Sequence, residues 1–192
     1  MAAEQPGEVI YHVLDGAVKI HVEQLNGRDV ILAILGPGEI VGEMTLMDRS
    51  GRSANVVTLQ DSVLLWMSYD DFRRSVDSIP EMGWNLMRIL SGRLRRANER
   101  IQRMASLNVS GRVACEVLAL AEQYGQPTEG GLFIPLRLTQ GDIASLTGAS
   151  RERVNQAMST LRRLGQITVG RDHRITVSDV EALARMGGGQ LP

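Results

Sequence analysis

Apolar residues along the first third of the chain come in short runs that alternate with polar positions. Val9–Leu14, Val18–Val22, Val30–Leu35, Asn55–Thr58 and Val63–Met67 are separated by the turn signals Asp15-Gly16, Asn26-Gly27, Gly36-Pro37-Gly38 and Ser50-Gly51. Short runs bounded by such turns predict strands, and their even spacing predicts a compact sandwich or barrel. Asp70–Val76 then reads as a short helix ending before Pro80.

From Glu81 to Leu107 the period changes. Met87, Leu90, Leu94, Ala97, Ile101 and Met104 recur at alternating spacings of 3 and 4, the seam of a coiled coil. Arg88, Arg93, Arg95, Arg96, Glu99, Arg100 and Arg103 flank that seam and leave a narrow apolar stripe. A stripe this narrow suits one partner helix, so a parallel homodimer is expected. The alternative is a helix packed on its own domain. Asn108 caps a following helix over Val109 to Gln123, which makes Leu107–Gly111 a hinge. The expected organisation is 1–80 as a β-rich domain, 81–107 as a dimerisation helix and 108–192 as a second domain.

Within that last part, Leu138–Gln156 reads as two short helices about a tight turn. Ile143, Leu146, Val154, Met158 and Leu161 supply the shared apolar face. Thr139 with Asp142 forms a capping box, Gly148 suits a left-handed turn, and Ser150 caps the second helix. The pattern is a helix-turn-helix, whose second helix presents its first turns to base edges in the major groove. Gln166–Val169 and Arg174–Val177 alternate like strands around Gly170-Arg171-Asp172-His173 and predict a wing; Gly131–Arg137 adds a further short strand pair. The fold class is therefore α+β, ending in a winged helix-turn-helix. Arg151, Glu152 and Gln156 are the expected base readers, since they suit guanine O6/N7, cytosine N4 and adenine N6/N7 respectively. Thr139, Gln140, Ser150 and Asn155 complete the expected DNA face, with double-stranded DNA as partner.

Charge shapes how DNA would be held. The 192 residues carry a net charge of −1, unevenly spread: 6 basic against 13 acidic residues over 1–87, 6 against one over 88–108, and 9 against 8 from 109 onward. Bulk positive charge cannot carry DNA binding. Local placement of Arg151, Arg153, Arg162, Arg163, Arg171 and Arg174 near phosphates is expected instead. The single cysteine, Cys115, excludes an internal disulfide and a cysteine-ligated iron–sulfur cluster within one chain, and it reads as a small core residue. His12, His21 and His173 are scattered without metal-ligand or nucleophile–base spacing, so no enzyme and no metal are expected. No haem is expected either. No apolar run is long enough to span a bilayer and Met1–Gln5 lacks signal-peptide features, so no membrane partner and a cytoplasmic protein are expected.

A second stretch carries chemistry. Gly36-Pro37-Gly38-Glu39-Ile40-Val41-Gly42-Glu43-Met44-Thr45-Leu46 is followed by Gly51-Arg52-Ser53-Ala54. A glycine turn entering a short helix offers N–H groups to an anion, and a nearby arginine can grip phosphate with a forked pair of hydrogen bonds. A glutamate there can accept from a sugar hydroxyl.

With Asp15-Gly16-Ala17-Val18, Asn108-Val109-Ser110-Gly111-Arg112 and Gly148-Ala149-Ser150-Arg151-Glu152, this string resembles the cyclic-AMP receptor protein family of bacterial transcription regulators (the catabolite activator and fumarate-nitrate regulator superfamily). The resemblance runs through essentially the whole chain. It implies a β-roll sensor with cyclic AMP as the effector, a dimerising helix and a winged reader on palindromic half-sites. RNA polymerase contact through a loop near Gln123–Gly131 also follows from it. The alternative within the superfamily is a constitutive activator without effector.

The resemblance assigns Gly42, Glu43, Met44, Arg52, Ser53 and Asn98 to the nucleotide. Gly42 and Glu43 would offer backbone contacts, the Glu43 carboxylate would take the ribose 2′-hydroxyl, and Arg52 with Ser53 would hold the phosphate. The cyclic-AMP-responsive members place a Thr, then Ser or Asn, against the adenine, partly across the dimer; here Ala97 and Asn98 stand there, so one hydroxyl is missing. The family's DNA pattern is Arg, Glu and a further Arg on a TGTGA-like half-site. Arg151 and Glu152 match it and Gln156 does not, so one G·C preference is expected to change. The resemblance also implies about 30 residues ahead of the first strand here, without which a sheet edge would lie uncovered.

Overall fold

The computed structural model describes residues 1, 9–24, 29–48 and 51–188, without the side chains of Leu46 and Asp48. The Asn26-Gly27 turn, Ser50 and residues 189–192 lie outside the described residues. Two compact units divide at Ile101/Gln102 rather than at the expected Asn108 break.

In the first unit, strands β1 (Val9–Asp15), β2 (Val18–Glu23), β3 (Asp29–Leu35), β4 (Ile40–Val41), β5 (Asn55–Thr58) and β6 (Val63–Ser68) form two three-stranded sheets. Their orders are β4-β1-β6 and β3-β2-β5, with every pairing antiparallel. Gly16, at φ +81°, turns β1 into β2; a Cβ there would meet Ser62 Oγ at 2.3 Å, so only glycine fits. Val13, Val18, Leu35 and Val41 pack from both sheets into one buried cluster. Short helix α1 (Glu43–Asp48) follows β4.

Helix α2 (Tyr69–Ser78) starts where Ser68 Oγ accepts from the Asp71 N–H. Pro80 opens the long helix α3 (Pro80–Ser106), a position where its missing N–H costs nothing. Phe72 of α2 and Leu86 of α3 close over Ile10 of β1, and Leu90 packs on the same cluster.

That packing corrects two expectations for α3. Leu90, assigned to the seam, belongs to the core of its own unit. Arg93 and Arg100, read as solvated flanks, turn inward: Arg100 Nη1 donates to the Leu32 carbonyl at 2.8 Å, and Arg93 enters the site described below. The exposed stripe within this unit is Trp84, Met87, Ser91, Leu94, Asn98 and Ile101, again at alternating spacings of 3 and 4. Trp84 is 67% exposed, and Leu94 and Ile101 are each 64% exposed. The exposed stripe keeps Met87, Leu94 and Ile101 of the expected seam but differs from it in register, because the β-roll claims the face that holds Leu90, Arg93 and Arg100.

The second unit joins α4 (Val109–Tyr124), β7 (Gln126–Thr128), β8 (Gly131–Ile134), α5 (Gln140–Thr147), α6 (Arg151–Arg163), β9 (Ile167–Val169), β10 (Ile175–Val177) and α7 (Val180–Met186). The sheet order is β7-β8-β10-β9, all antiparallel. Val113 and Val117 of α4, Ile143 and Leu146 of α5, Val154 and Leu161 of α6, and Ile134, Ile167 and Ile175 of the sheet are almost wholly buried. Asn108 Oδ1 accepts from the Gly111 N–H and caps α4 as expected. Arg112 Nε donates to the Thr147 carbonyl at 3.0 Å and Nη1 to the Leu107 carbonyl at 3.1 Å. One guanidinium therefore ties the start of α4 to the end of α5. Cys115 is half-buried beside Gly187, and burial pushes its thiol pKa up. The region near Gln123–Gly131, expected as a loop, contains β7 and the turn into β8.

Candidate functional site: an anion pocket and a helix-turn-helix face

Gly42 links β4 to α1 at φ +90°, a conformation that favours glycine. A Cβ there would stand 2.7 Å from Arg52 Nη1 and 3.1 Å from the Val9 carbonyl, so the missing side chain is the space the guanidinium fills. Arg52 is only 9% exposed, and its Nη2 donates to the Val9 carbonyl at 3.2 Å. Glu43, the first residue of α1, is 5% exposed.

A third charged residue joins them. Arg93 Nη1 donates to Glu43 Oε1 at 2.7 Å, and Nη2 donates to Glu39 Oε2 at 2.9 Å and to the Ile40 carbonyl. Arg96 lies 3.5 Å from Glu39 Oε1. The cluster pins α3 to the turn that carries the pocket. Glu43 is oriented through one oxygen, which leaves Oε2 to accept from a hydroxyl. A buried guanidinium beside a buried, oriented carboxylate suits a ligand that carries both an anion and a vicinal hydroxyl, which fits a cyclic nucleotide.

The structure brings Gly42, Glu43, Met44, Arg52 and Ser53 together; Ser53 Oγ donates to Met44 Sδ at 3.6 Å. Asn98 stands apart. It is five residues beyond Arg93, so it lies on a different side of α3, in the exposed stripe. Sequence reasoning missed Arg93. Its signal, an arginine in phase with Leu86 and Leu90, was present but treated as one more flank.

In the second unit the local chemistry agrees with the expected helix-turn-helix. Thr139 caps α5 in a reciprocal box with Asp142, Gly148 adopts φ +61° at the turn, and Ser150 Oγ accepts from the Arg153 N–H. Val154, Ala157, Met158 and Leu161 are buried, whereas Arg151, Glu152, Asn155 and Gln156 face outward together. The Arg151 guanidinium lies over Gly141, where a Cβ would stand 2.7 Å from Nη2. Gln140 Nε2 donates to Asn155 Oδ1 at 3.0 Å, which bridges the two helices.

Two of the residues expected at the DNA are engaged within the protein. The Thr139 hydroxyl accepts from the Asp142 N–H and donates to Asp142 Oδ2, so the cap consumes it. Arg174, expected at phosphate, pairs with Asp172 at 2.6 Å and donates through Nε to the Pro135 carbonyl. It braces the wing turn, where His173 sits at φ +64°. Hydrogen bonds from Arg174 hold the Asp172 carboxyl below its ordinary pKa.

These two sites define a class: a DNA-binding regulator with an anion-binding β-roll. Comparison with known proteins narrows it. Residues 1–78 match the cyclic nucleotide-binding domain family, and residues 111–186 match the Crp-like helix-turn-helix domain. The chain is 35% identical over 184 residues to the CRP-like cAMP-activated global transcriptional regulator of Mycobacterium tuberculosis, covering 96% of this chain and 82% of that protein. It is 32% identical to the cyclic AMP receptor protein of Thermus thermophilus over 85% of this chain and 73% of the relative. Among solved structures, a CRP/FNR family regulator from Thermus thermophilus superposes with a TM-score of 0.78 at 26% identity, over 97% of this chain and 91% of that one. FixK2 from Bradyrhizobium japonicum shares the fold, with a TM-score of 0.84 at 20% identity over 96% and 90% of the two chains. The chain belongs to the CRP family of DNA-binding transcription regulators and carries that family's cyclic nucleotide-binding domain.

Proposed function

We propose that this chain acts as a homodimer whose affinity for palindromic DNA is raised by cyclic AMP bound in the β-roll. The observation that carries the reading is the constellation of buried Arg52 and Glu43 with half-buried Arg93 around the Gly42 turn, which pairs a phosphate-gripping guanidinium with a hydroxyl-accepting carboxylate. Two curated relatives whose names specify cAMP agree with it.

The exposed stripe on α3 supports the dimer. Met87, Leu94 and Ile101 recur every seven residues, and Asn98 falls on the same face, where it would meet the partner helix. Two copies would set their α6 helices about one DNA turn apart, roughly 34 Å. Arg151, Glu152, Asn155 and Gln156 would read bases, while Ser150, Arg153, Arg162, Arg163 and Arg171 would serve the phosphates. Regulation takes place where the chromosome is, in the cytoplasm. Contact with RNA polymerase belongs to the same reading, and catalysis does not.

The effector must bind the DNA-competent arrangement more tightly than the other, since equal affinity shifts nothing. Isothermal titration calorimetry with cyclic AMP tests the ligand: saturable heat at one site per subunit supports it. No heat with cyclic AMP, alongside intact DNA binding, favours the constitutive regulator.

A further inference from the structure

The division of the chain at Ile101/Gln102 leaves the last turn of α3 with the second unit, ahead of the Leu107–Gly111 junction where the sequence predicts a hinge. Arg112 supplies a reason. Its half-buried side chain lies between two helix ends. Nη1 donates to the carbonyl of Leu107, just past α3, and Nε donates to the carbonyl of Thr147, the last residue of α5. Carbonyls at a helix C-terminus lack intrahelical partners and carry the negative end of the helix dipole, so one guanidinium can bind two such ends together. Two apolar contacts flank this clip. A Cβ on Gly148 would stand 3.4 Å from Met104 Cε, and a Cβ on Gly111 would stand 3.4 Å from Leu107 Cβ. The end of α3 is therefore fastened to the turn of the helix-turn-helix at Thr147 and Gly148, and not only through the chain at Asn108.

We infer that Arg112 is a positioning residue that fixes the spacing between the two DNA half-sites. The inference rests on the reading of the chain as a dimer paired along α3 with α6 on DNA. In such a dimer the two α6 helices are connected through the ends of the two α3 helices, and each Leu107–Asn108 junction is a point at which a reader could swing. Arg112 spans that junction and closes it. Moving a half-site by one base pair shifts it roughly 3.4 Å along the duplex and turns it about 35°, because a helical turn takes about 10–10.5 base pairs over roughly 34–36 Å. A fastened reader cannot follow that change, whereas one that swings at Asn108 can. Arg112 is itself engaged by two carbonyls on the protein, so it leaves the choice of bases to α6.

Selection from a library of palindromic duplexes, with randomised half-sites and a spacer varied by single base pairs, tests this on the full chain with saturating cyclic AMP. Wild type should lose about tenfold in affinity when the spacer changes by one base pair, the scale of one mismatched base. Arg112→Met keeps the stem of the side chain and removes its donors. It should lose only about twofold over the same spacers, with base frequencies inside each half-site unchanged. Arg112→Gln, shorter and uncharged, should behave alike, and it carries the test where circular dichroism shows the Met variant unfolded. A spacing preference as sharp in the folded variant as in wild type overturns the inference and leaves DNA reading by α6 intact. Spacing and base preference declining together also overturn it, since general loss of structure does that. A wild-type chain that binds every spacing alike overturns it without any variant. A wild-type chain that enriches no palindrome defeats the dimeric DNA reading itself, and the inference with it.

Discussion

Arg93 and Glu43, fifty residues apart in sequence, meet through a 2.7 Å hydrogen bond that fixes the pocket carboxylate. The same guanidinium reaches Glu39 and the Ile40 carbonyl, so one side chain of the long helix answers two carboxylates of the pocket turn. Glu43 is buried, and removing Arg93 takes away the guanidinium that is hydrogen-bonded to it. Arg93→Met should cost about 3–5 kcal/mol of stability in the first unit, read by urea unfolding. The double variant Arg93→Met/Glu43→Gln should recover most of that stability while still binding cyclic AMP poorly. Recovery of both would show that Glu43 has no part in the ligand site.

Gly42 tests the pocket without touching a charge. Alanine there meets Arg52 Nη1 at 2.7 Å in a backbone conformation that side chains rarely adopt. Gly42→Ala should displace the guanidinium and weaken cyclic AMP at least tenfold by calorimetry, the scale of one lost charge-assisted hydrogen bond. Gly38→Ala shares the positive φ but meets nothing within 4 Å, so it controls for backbone strain alone.

Base reading is tested at Arg151. Arg151→Ala should cost about 1–3 kcal/mol at one base pair and relax specificity there, measured by competition among half-site variants. An equal loss on every sequence would assign Arg151 to phosphate instead.

The exposed stripe on α3 gives a prediction for assembly. Leu94→Glu places a charge at the centre of the stripe, on a residue that is 64% exposed in the single chain. The monomer fold should survive, while sedimentation should show the dimer lost and DNA affinity lowered. A dimer that persists with Leu94→Glu would move the interface off this helix.

The helix-turn-helix was legible in the sequence because each of its signals is local. Thr139 and Asp142 form their box three residues apart, and Gly148 and Ser150 act within a single turn. The strands of the β-roll were legible for the same reason, their turns being marked by glycine and proline. What escaped depends on distant partners. Arg93 looks like any other arginine on the flank of α3 until β4 and α1 bring Glu39 and Glu43 beneath it. The register of the seam slipped because the sequence does not say which side of α3 the sheet takes, and Leu90 fits either. Strand β4 is only two residues long and exists through its pairing with Tyr11 and His12, not through its own propensity. Helix α7 carried a local signal, the Asp179 cap ahead of Ala182, Leu183 and Ala184, that the sequence reading passed over. Arg174 was read by charge alone, and the Asp172 carboxylate two residues away was the nearer partner.

Coupling between the two sites is the centre of the account, and one titration measures it. Fluorescence anisotropy of a labelled palindromic duplex, with wild-type chain titrated in the presence and absence of saturating cyclic AMP at fixed salt, reports both affinities directly. Affinity should rise about five- to 150-fold with the nucleotide, the usual span of allosteric coupling. The same affinity with and without cyclic AMP would contradict it.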